Sequence, residues 1–218
     1  MLDYANKVHG DTEELCPWHR GVLLVSDFKG KRVLDIGCGS GAFLKSIQND
    51  AEALLGLDPN PINIAAASKH GIDAWNEYFS SELHSRLSLF RPSVITCFEV
   101  IEHIYSPMEL FGEARSLLQE SGGGIFIVST PNAFNIRRSL SFVFNQKHHD
   151  PMMDPTRFDE PEHIRAYSFG MLKNALIKTG FTAVKGYGIV TSFGSTRTLK
   201  FPAISKQLGQ NLLMVASI

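Results

Sequence analysis

Residues 33–44 read Val-Leu-Asp-Ile-Gly-Cys-Gly-Ser-Gly-Ala-Phe-Leu. The apolar run stops at Ile36, glycines follow at 37, 39 and 41, and apolar spacing resumes at Phe43, Leu44 and Ile47. That pattern predicts a strand, a tight turn and a helix. Glycine serves where a backbone takes unusual dihedrals or must admit a ligand. A helix start just beyond it offers unpaired N–H groups. Gly37, Gly39 and Ala42 also satisfy G-x-G-x-x-A, the dinucleotide fingerprint. Asp35, two residues before the first glycine, argues the other way, because it would repel a pyrophosphate beside the turn. An acid there suits a ligand with a cationic centre and a free amino group, and S-adenosylmethionine has both.

The stretch resembles motif I of the class I S-adenosylmethionine-dependent methyltransferases, and the resemblance covers roughly residues 30–190. It implies an α/β fold: a Rossmann-like, doubly wound, seven-stranded sheet with an antiparallel last strand and helices on both faces. It also implies S-adenosylmethionine as cofactor, with Asp35, Gly37, Cys38, Gly39 and Gly41 around its methionine end. A strand over Ala53–Leu57 ends at Asp58, 21 positions past Gly37 (58 − 37 = 21). An acid at that tip can accept hydrogen bonds from ribose hydroxyls in either fold; a helix N-cap is its plain alternative. Pro59 borders that site, and Pro61 suits the first turn of the next helix. A short strand over Gly71–Trp75 follows. The family's usual Gly-Asp is absent after it, so Asn76 and Glu77 stand nearest to the adenine position.

Ser93–Phe98 is a β-branched run suited to a buried strand. It leads into Glu99-Val-Ile-Glu-His103, which resembles the family's E-V-x-E-H segment and places Glu99 beside the methionine moiety. Glu99, Glu102 and His103 equally match E-x-x-E-H of the small-RNA 3′-end methyltransferases, where such residues bind a divalent metal with a further histidine. The same letters occur in metal-free small-molecule enzymes, and the expectation is no metal. Ser106–Leu118 is amphipathic, and Ile125–Ser129 reads as the fifth strand, with Thr130-Pro131-Asn132 expected to face the acceptor.

Residues 133–163 are long for a βα connection, which usually takes ~2–6 residues. They read as a lid, with Ile136, Leu140 and Val143 at helical spacing beside Arg137 and Arg138. Such lids exclude water and confer specificity. This composition suits a greasy or anionic acceptor; a mobile excursion or dimer contact is the alternative. Glu162-His163-Ile-Arg165 then precedes Tyr167-Ser168-Phe169, a helix over Met171–Thr179, and Gly180-Phe181 opening a sixth strand. This signature resembles the ubiquinone-type and glycan or lipid O-methyltransferase subgroup. His103 and His163 are the candidate general bases for a hydroxyl acceptor, since imidazole titrates near neutrality. Residues 182–208 are poorly determined by pattern, and Leu212–Ser217 is a final strand.

Ahead of the first strand, residues 1–29 read as a helical segment from Thr12. Its Trp18 and His19 are packing residues that could touch substrate. The 218 residues suit one domain, 1–218, and the hydrophobic fraction of 44% suits a sizeable core. A net charge of −1 lacks the basic excess of a phosphate-neutralising nucleic-acid binder. Cys16, Cys38 and Cys97 show no C-x-x-C pairing and read as small buried hydrophobes. No basic-then-apolar leader and no bilayer-length apolar run is visible. The chain is thus expected to be a cytoplasmic methyltransferase without stable membrane insertion. It would act as a monomer or homodimer on a small-molecule, lipid-linked or saccharide acceptor. An NAD-linked oxidoreductase, a metal-dependent RNA 3′-end methyltransferase and a binding protein without catalysis are the competing readings.

Overall fold

The computed structural model describes residues 14–145, 163–192, 195–198 and 208–218. The expectations placed on Thr12 and on most of the lid lie outside them. Among the described residues, eight strands form one sheet: β1 (Arg32–Ile36), β2 (Ala53–Leu57), β3 (Ala74–Trp75), β4 (Val94–Phe98), β5 (Ile125–Pro131), β6 (Ala183–Ser192), β7 (Ser195–Thr198) and β8 (Asn211–Ser217). Their order is β3-β2-β1-β4-β5-β8-β6-β7. The first five are parallel; β8 is antiparallel to both β5 and β6. The expected seven-stranded arrangement is therefore present, and β7 adds an antiparallel edge to β6.

The strand order reverses between β1 and β4, which run side by side with Asp35 opposite Thr96. At such a reversal the chain leaves the two strands in opposite directions, and a crevice opens beyond their carboxyl ends. Burial explains the strand residues. β4 is buried along its whole length, as a parallel strand covered on both faces must be. Leu34, Leu57, Ile95, Phe126 and Val128 join Phe111, Leu117 and Leu118 of helix α5 (Pro107–Glu120) in one core cluster. Val33, Phe43, Leu44 and Ile47 build a second cluster with Val22 of α1 (Pro17–Leu23). Truncating one of these fully buried leucines to Ala would cost about 2–5 kcal/mol.

The helices follow their signals. Helix α2 (Ala42–Ile47) starts at the glycine turn, with Gly41 left-handed at φ 78°. Helix α3 (Pro61–Lys69) is capped by Asn60, whose side chain accepts from the Ile62 amide, so the N-cap alternative for Asp58 fails. α4 (His84–Phe90) was not foreseen, and only its Leu87 is buried. α6 (Ile136–Asn145) fills the start of the proposed lid. It leaves Ile136, Leu140, Val143 and Phe144 exposed. α7 (Phe169–Lys178) begins two residues before the expected Met171 and is capped by Ser168, whose side chain accepts from the Met171 amide. The third strand is shorter than expected: after Gly71 only Ala74 and Trp75 pair with β2.

Candidate functional site

A cavity of about 730 Å³ lies over the carboxyl ends of β1, β2 and β4. Gly37, Cys38, Gly39, Asp58, Pro59, Glu77, Glu99 and His103 line it, so eight predicted residues meet in one place. The wall also includes Cys16, Trp18, His19, Tyr78 and Phe98. Asp35, Gly41, Asn76 and His163 are not on this wall, and each has another task.

The turn is a cradle. Gly37 and Cys38 donate their amides to the Leu57 carbonyl at 2.8 and 2.9 Å, which ties the turn to the end of β2. Gly37 sits at φ 74°, and a side chain there would lie 2.4 Å from Val100 Cγ2. Gly39 sits at φ 54°, where an added Cβ meets nothing within 4 Å. Its peptide therefore borders open space that a ligand can occupy without a side chain between them. Cys38 is buried, but Cys16, expected to be buried too, is only partly so and caps α1 at the cavity edge.

Asp58 holds this cradle in shape. Its Oδ2 accepts from the Gly39 amide at 2.9 Å; its Oδ1 accepts from the Asn60 amide and from Asn63 Nδ2. A carboxylate has about four acceptor positions, so capacity remains on Oδ2 for a hydroxyl. Asn76, expected near adenine, instead donates its side chain to the Asp58 carbonyl. Glu77 pairs with Arg86, which also stacks over Trp75 at 4.3 Å.

Asp35 lies behind the wall. It is only 2% exposed, and its Oδ1 accepts from the Thr96 hydroxyl at 2.6 Å. Burial pushes its carboxyl up to about 7, against the lowering effect of the Thr96 bond. Glu99 ends β4 at φ 54°, a left-handed conformation that is strained for a residue with a side chain and typical of functional sites. Ser129 donates to its Oε1 at 2.7 Å and Asn211 to its Oε2 at 2.8 Å. Burial lifts it to about 7 as well, while those two bonds and the Arg138 charge pull it down. Two carboxyls poised near neutrality beside one glycine turn are a site signal.

His103 lies in a 3₁₀ turn over Ile101–His103, not in α5. Its Nε2 is 3.9 Å from Glu102 Oε1. Glu102 is 1% exposed, and its Oε2 accepts from the Thr130 hydroxyl at 2.9 Å. The segment carrying His163 is lashed to this turn. The amides of Ile164 and Arg165 both donate to the Glu102 carbonyl, and the Arg165 guanidinium donates to the carbonyls of Ile104 and Tyr105. The His103 and His163 rings stand 4.9 Å apart, edge to face. Donor atoms of Glu102, His103 and His163 lie within 4.8 Å of one another, a set that could hold a divalent cation or relay a proton. Glu99, the first letter of E-x-x-E-H, turns to Ser129 and Asn211 and stands outside that set. Thr130 and Asn132 were expected to face the acceptor. Both are buried and bonded inward, Thr130 to Glu102 and Asn132 to the Gly209 carbonyl.

The supporting roles of Thr96, Ser129, Thr130 and Asn63 escaped sequence reasoning. They act across strand registers and loops, and no spacing within one segment announces them.

Comparison with known proteins agrees with this geometry. Residues 9–185 match the family described as methyltransferase domain. The ubiquinone biosynthesis O-methyltransferase of Vibrio campbellii is 30% identical over 119 residues, covering 53% of this chain and 48% of its own. That of Vibrio cholerae is 31% identical over 119 residues, with 53% and 46% covered. The chain thus spans about half the length of the curated relatives it matches. An S-adenosylmethionine-dependent methyltransferase from Archaeoglobus fulgidus shares the fold at TM-score 0.63 and 19% identity, covering 99% of this chain and 98% of its own. The magnesium protoporphyrin IX methyltransferase of Synechocystis, solved with S-adenosylhomocysteine bound, shares it at TM-score 0.54 and 12% identity, with 92% and 79% covered. The glycine turn, the sheet order and the family match agree: the chain belongs to the methyltransferase domain family, of the Rossmann-like class I that uses S-adenosylmethionine.

Proposed function

We propose that the protein transfers a methyl group from S-adenosylmethionine to a hydroxyl of a small acceptor. The observation that carries the reading is Gly39, left-handed, open to the cavity on one side and tied to Asp58 on the other. That cradle fits the cofactor: Gly37–Gly39 and Glu99 would hold its methionine end, and Asp58 with Pro59 its ribose. Glu77 would lie nearest its adenine. Asp35 would act from behind the turn, through its charge. The bound cofactor supplies an electrophilic methyl, which an acceptor oxygen takes with its lone pair as the carbon–sulfur bond breaks and its electrons return to sulfur.

The chain's own groups align that attack and receive the proton. His103 lines the cavity and has Glu102 behind it, the arrangement of a base with an orienting carboxylate. It takes the acceptor's hydroxyl proton. His163, off the wall, packs against the His103 ring and steadies it. Helix α6 exposes the apolar Ile136, Leu140, Val143 and Phe144, and a lid built on it would shield the reaction from water. The relatives' printed name, ubiquinone biosynthesis O-methyltransferase, supports an oxygen acceptor of small-molecule, lipid-linked or saccharide kind. We take residues 1–218 as one domain. No helix among the described residues is long and apolar enough to cross a membrane. Three cysteines without a pairing pattern support a cytoplasmic setting.

The test is a turnover assay with methyl-labelled S-adenosylmethionine against phenols, saccharides and amines. Label should appear on hydroxyl oxygen, and His103→Gln should lower the rate by roughly 10²–10⁴-fold, as loss of a general base does. Label found only on amine nitrogen, or an unchanged rate in the variant, contradicts the reading.

A further inference from the structure

We infer that His19 contacts the cofactor, donating a hydrogen bond from its imidazole to the carboxylate of the methionine tail. The inference rests on the S-adenosylmethionine reading of the cavity. His19 lies on α1 and lines the cavity. Its ring packs on Phe98 at 5.3 Å, on Phe43 at 5.5 Å and on Trp18 at 5.9 Å. Phe98 is the last residue of β4, next to Glu99, and Phe43 lies in the first turn after the glycines. His19 therefore bridges the two edges of the crevice at the strand reversal.

A phenyl ring would fill this aromatic nest as well as imidazole does. What imidazole adds is its ring nitrogens, of which Nδ1 is buried and has no hydrogen-bond partner among the described residues. A buried polar atom left so is costly, and on a side chain that lines a cavity it points to a group that arrives with the ligand. The charges on the wall say which group. Among the described lining residues there are six carboxylates and no Lys or Arg. An ammonium has Glu99 at hand, whereas a carboxylate must be met by neutral donors. Burial holds the imidazole down to about 3, so at neutral pH the ring is uncharged and carries one N–H to give.

The test is calorimetric titration of the wild type and of His19→Phe with two ligands. S-adenosylhomocysteine has the amino-acid tail; 5′-methylthioadenosine has the same nucleoside and sulfur without it. His19→Phe keeps the ring packing and should lower S-adenosylhomocysteine affinity about 10–100-fold, the loss of one hydrogen bond to a charged group. Affinity for methylthioadenosine should stay within twofold, and a decarboxylated S-adenosylhomocysteine should not distinguish the two proteins. Equal affinity of both proteins for S-adenosylhomocysteine, or a parallel loss for both ligands, overturns the role of His19. A wild type that binds methylthioadenosine but gains nothing from the tail overturns it too. No binding of either ligand by the wild type sinks the cofactor reading itself, and the inference with it. Should the variant fail to fold, the imidazole ¹⁵N signals of wild-type His19 decide: they should shift with S-adenosylhomocysteine and not with methylthioadenosine, and the absence of that difference counts against the contact.

Discussion

At the scale of single residues, the site is a compromise between a stable fold and a cationic guest. Asp35 and Glu99 are buried, and both carboxyls rise to about 7. Asp35 therefore favours its protonated form in the folded chain. Its contribution to stability is fully present below the unfolded carboxylate range and is lost as pH rises through about 7. A cationic ligand reverses that preference and draws the proton off. Cofactor binding should release protons near pH 7, and affinity should climb between pH 6 and pH 8; calorimetry in buffers of differing ionisation enthalpy reads both. Asp35→Asn still accepts from Thr96. It should raise the melting temperature of the cofactor-free protein at pH 8 and weaken cofactor binding at the same pH. A variant that binds as tightly as the wild type at pH 8 removes Asp35 from the site. Gly39→Ala separates cradle from fold. The left-handed backbone costs about 1–2 kcal/mol with a side chain, and the new methyl meets nothing within 4 Å. A small drop in melting temperature with a steep loss of S-adenosylhomocysteine affinity is expected; a small drop alone would show that the ligand stays clear of this peptide.

At the scale of elements, β1, the glycine turn, α2, β4 and α5 could be read from the chain because their burial periods are local. Each segment buries a stripe that its own spacing displays. β6 could not. Gly186 and Gly188 interrupt its apolar pattern, and the reason lies across the sheet: a side chain at Gly186 would come within 2.2 Å of the Phe169 ring and 2.6 Å of Met214. The glycine yields its space to residues distant in the chain. α4 was missed for the opposite reason, since it buries one leucine and shows no stripe. It is held partly by charge. His84 bonds through Nδ1 to Glu113 and through Nε2 to Glu120, both on α5, and the Glu113 bond leads in raising its pKa. A histidine raised in the folded state adds stability below its unfolded pKa, and that stability is lost as pH rises past the folded value. His84→Ala should therefore lower the melting temperature more at pH 6 than at pH 9. The staple is only partly buried and opens to solvent at Glu120, so the shift should be a few degrees and fade in high salt. Equal shifts at both pH values would show that the imidazole merely packs.

At the scale of the whole molecule, what was legible was the place of the site, and what was not was its inner support. A strand reversal beside a glycine turn locates a crevice whatever the ligand, so Gly37, Gly39 and Asp58 could be gathered from the turn and its spacing, and Glu99 and His103 from the resemblance of the segment after the fourth strand. The partners that hold these side chains come from β4, β5, β8 and the segment after residue 162, brought together only by the folded sheet. The central claim is that this crevice holds S-adenosylmethionine and not a pyrophosphate-linked dinucleotide. Titration of the purified wild-type chain with S-adenosylhomocysteine and, separately, with NADH tests it most directly. Saturable binding of S-adenosylhomocysteine at one site per chain, with no heat from NADH, is the predicted result; binding of NADH without S-adenosylhomocysteine would contradict it.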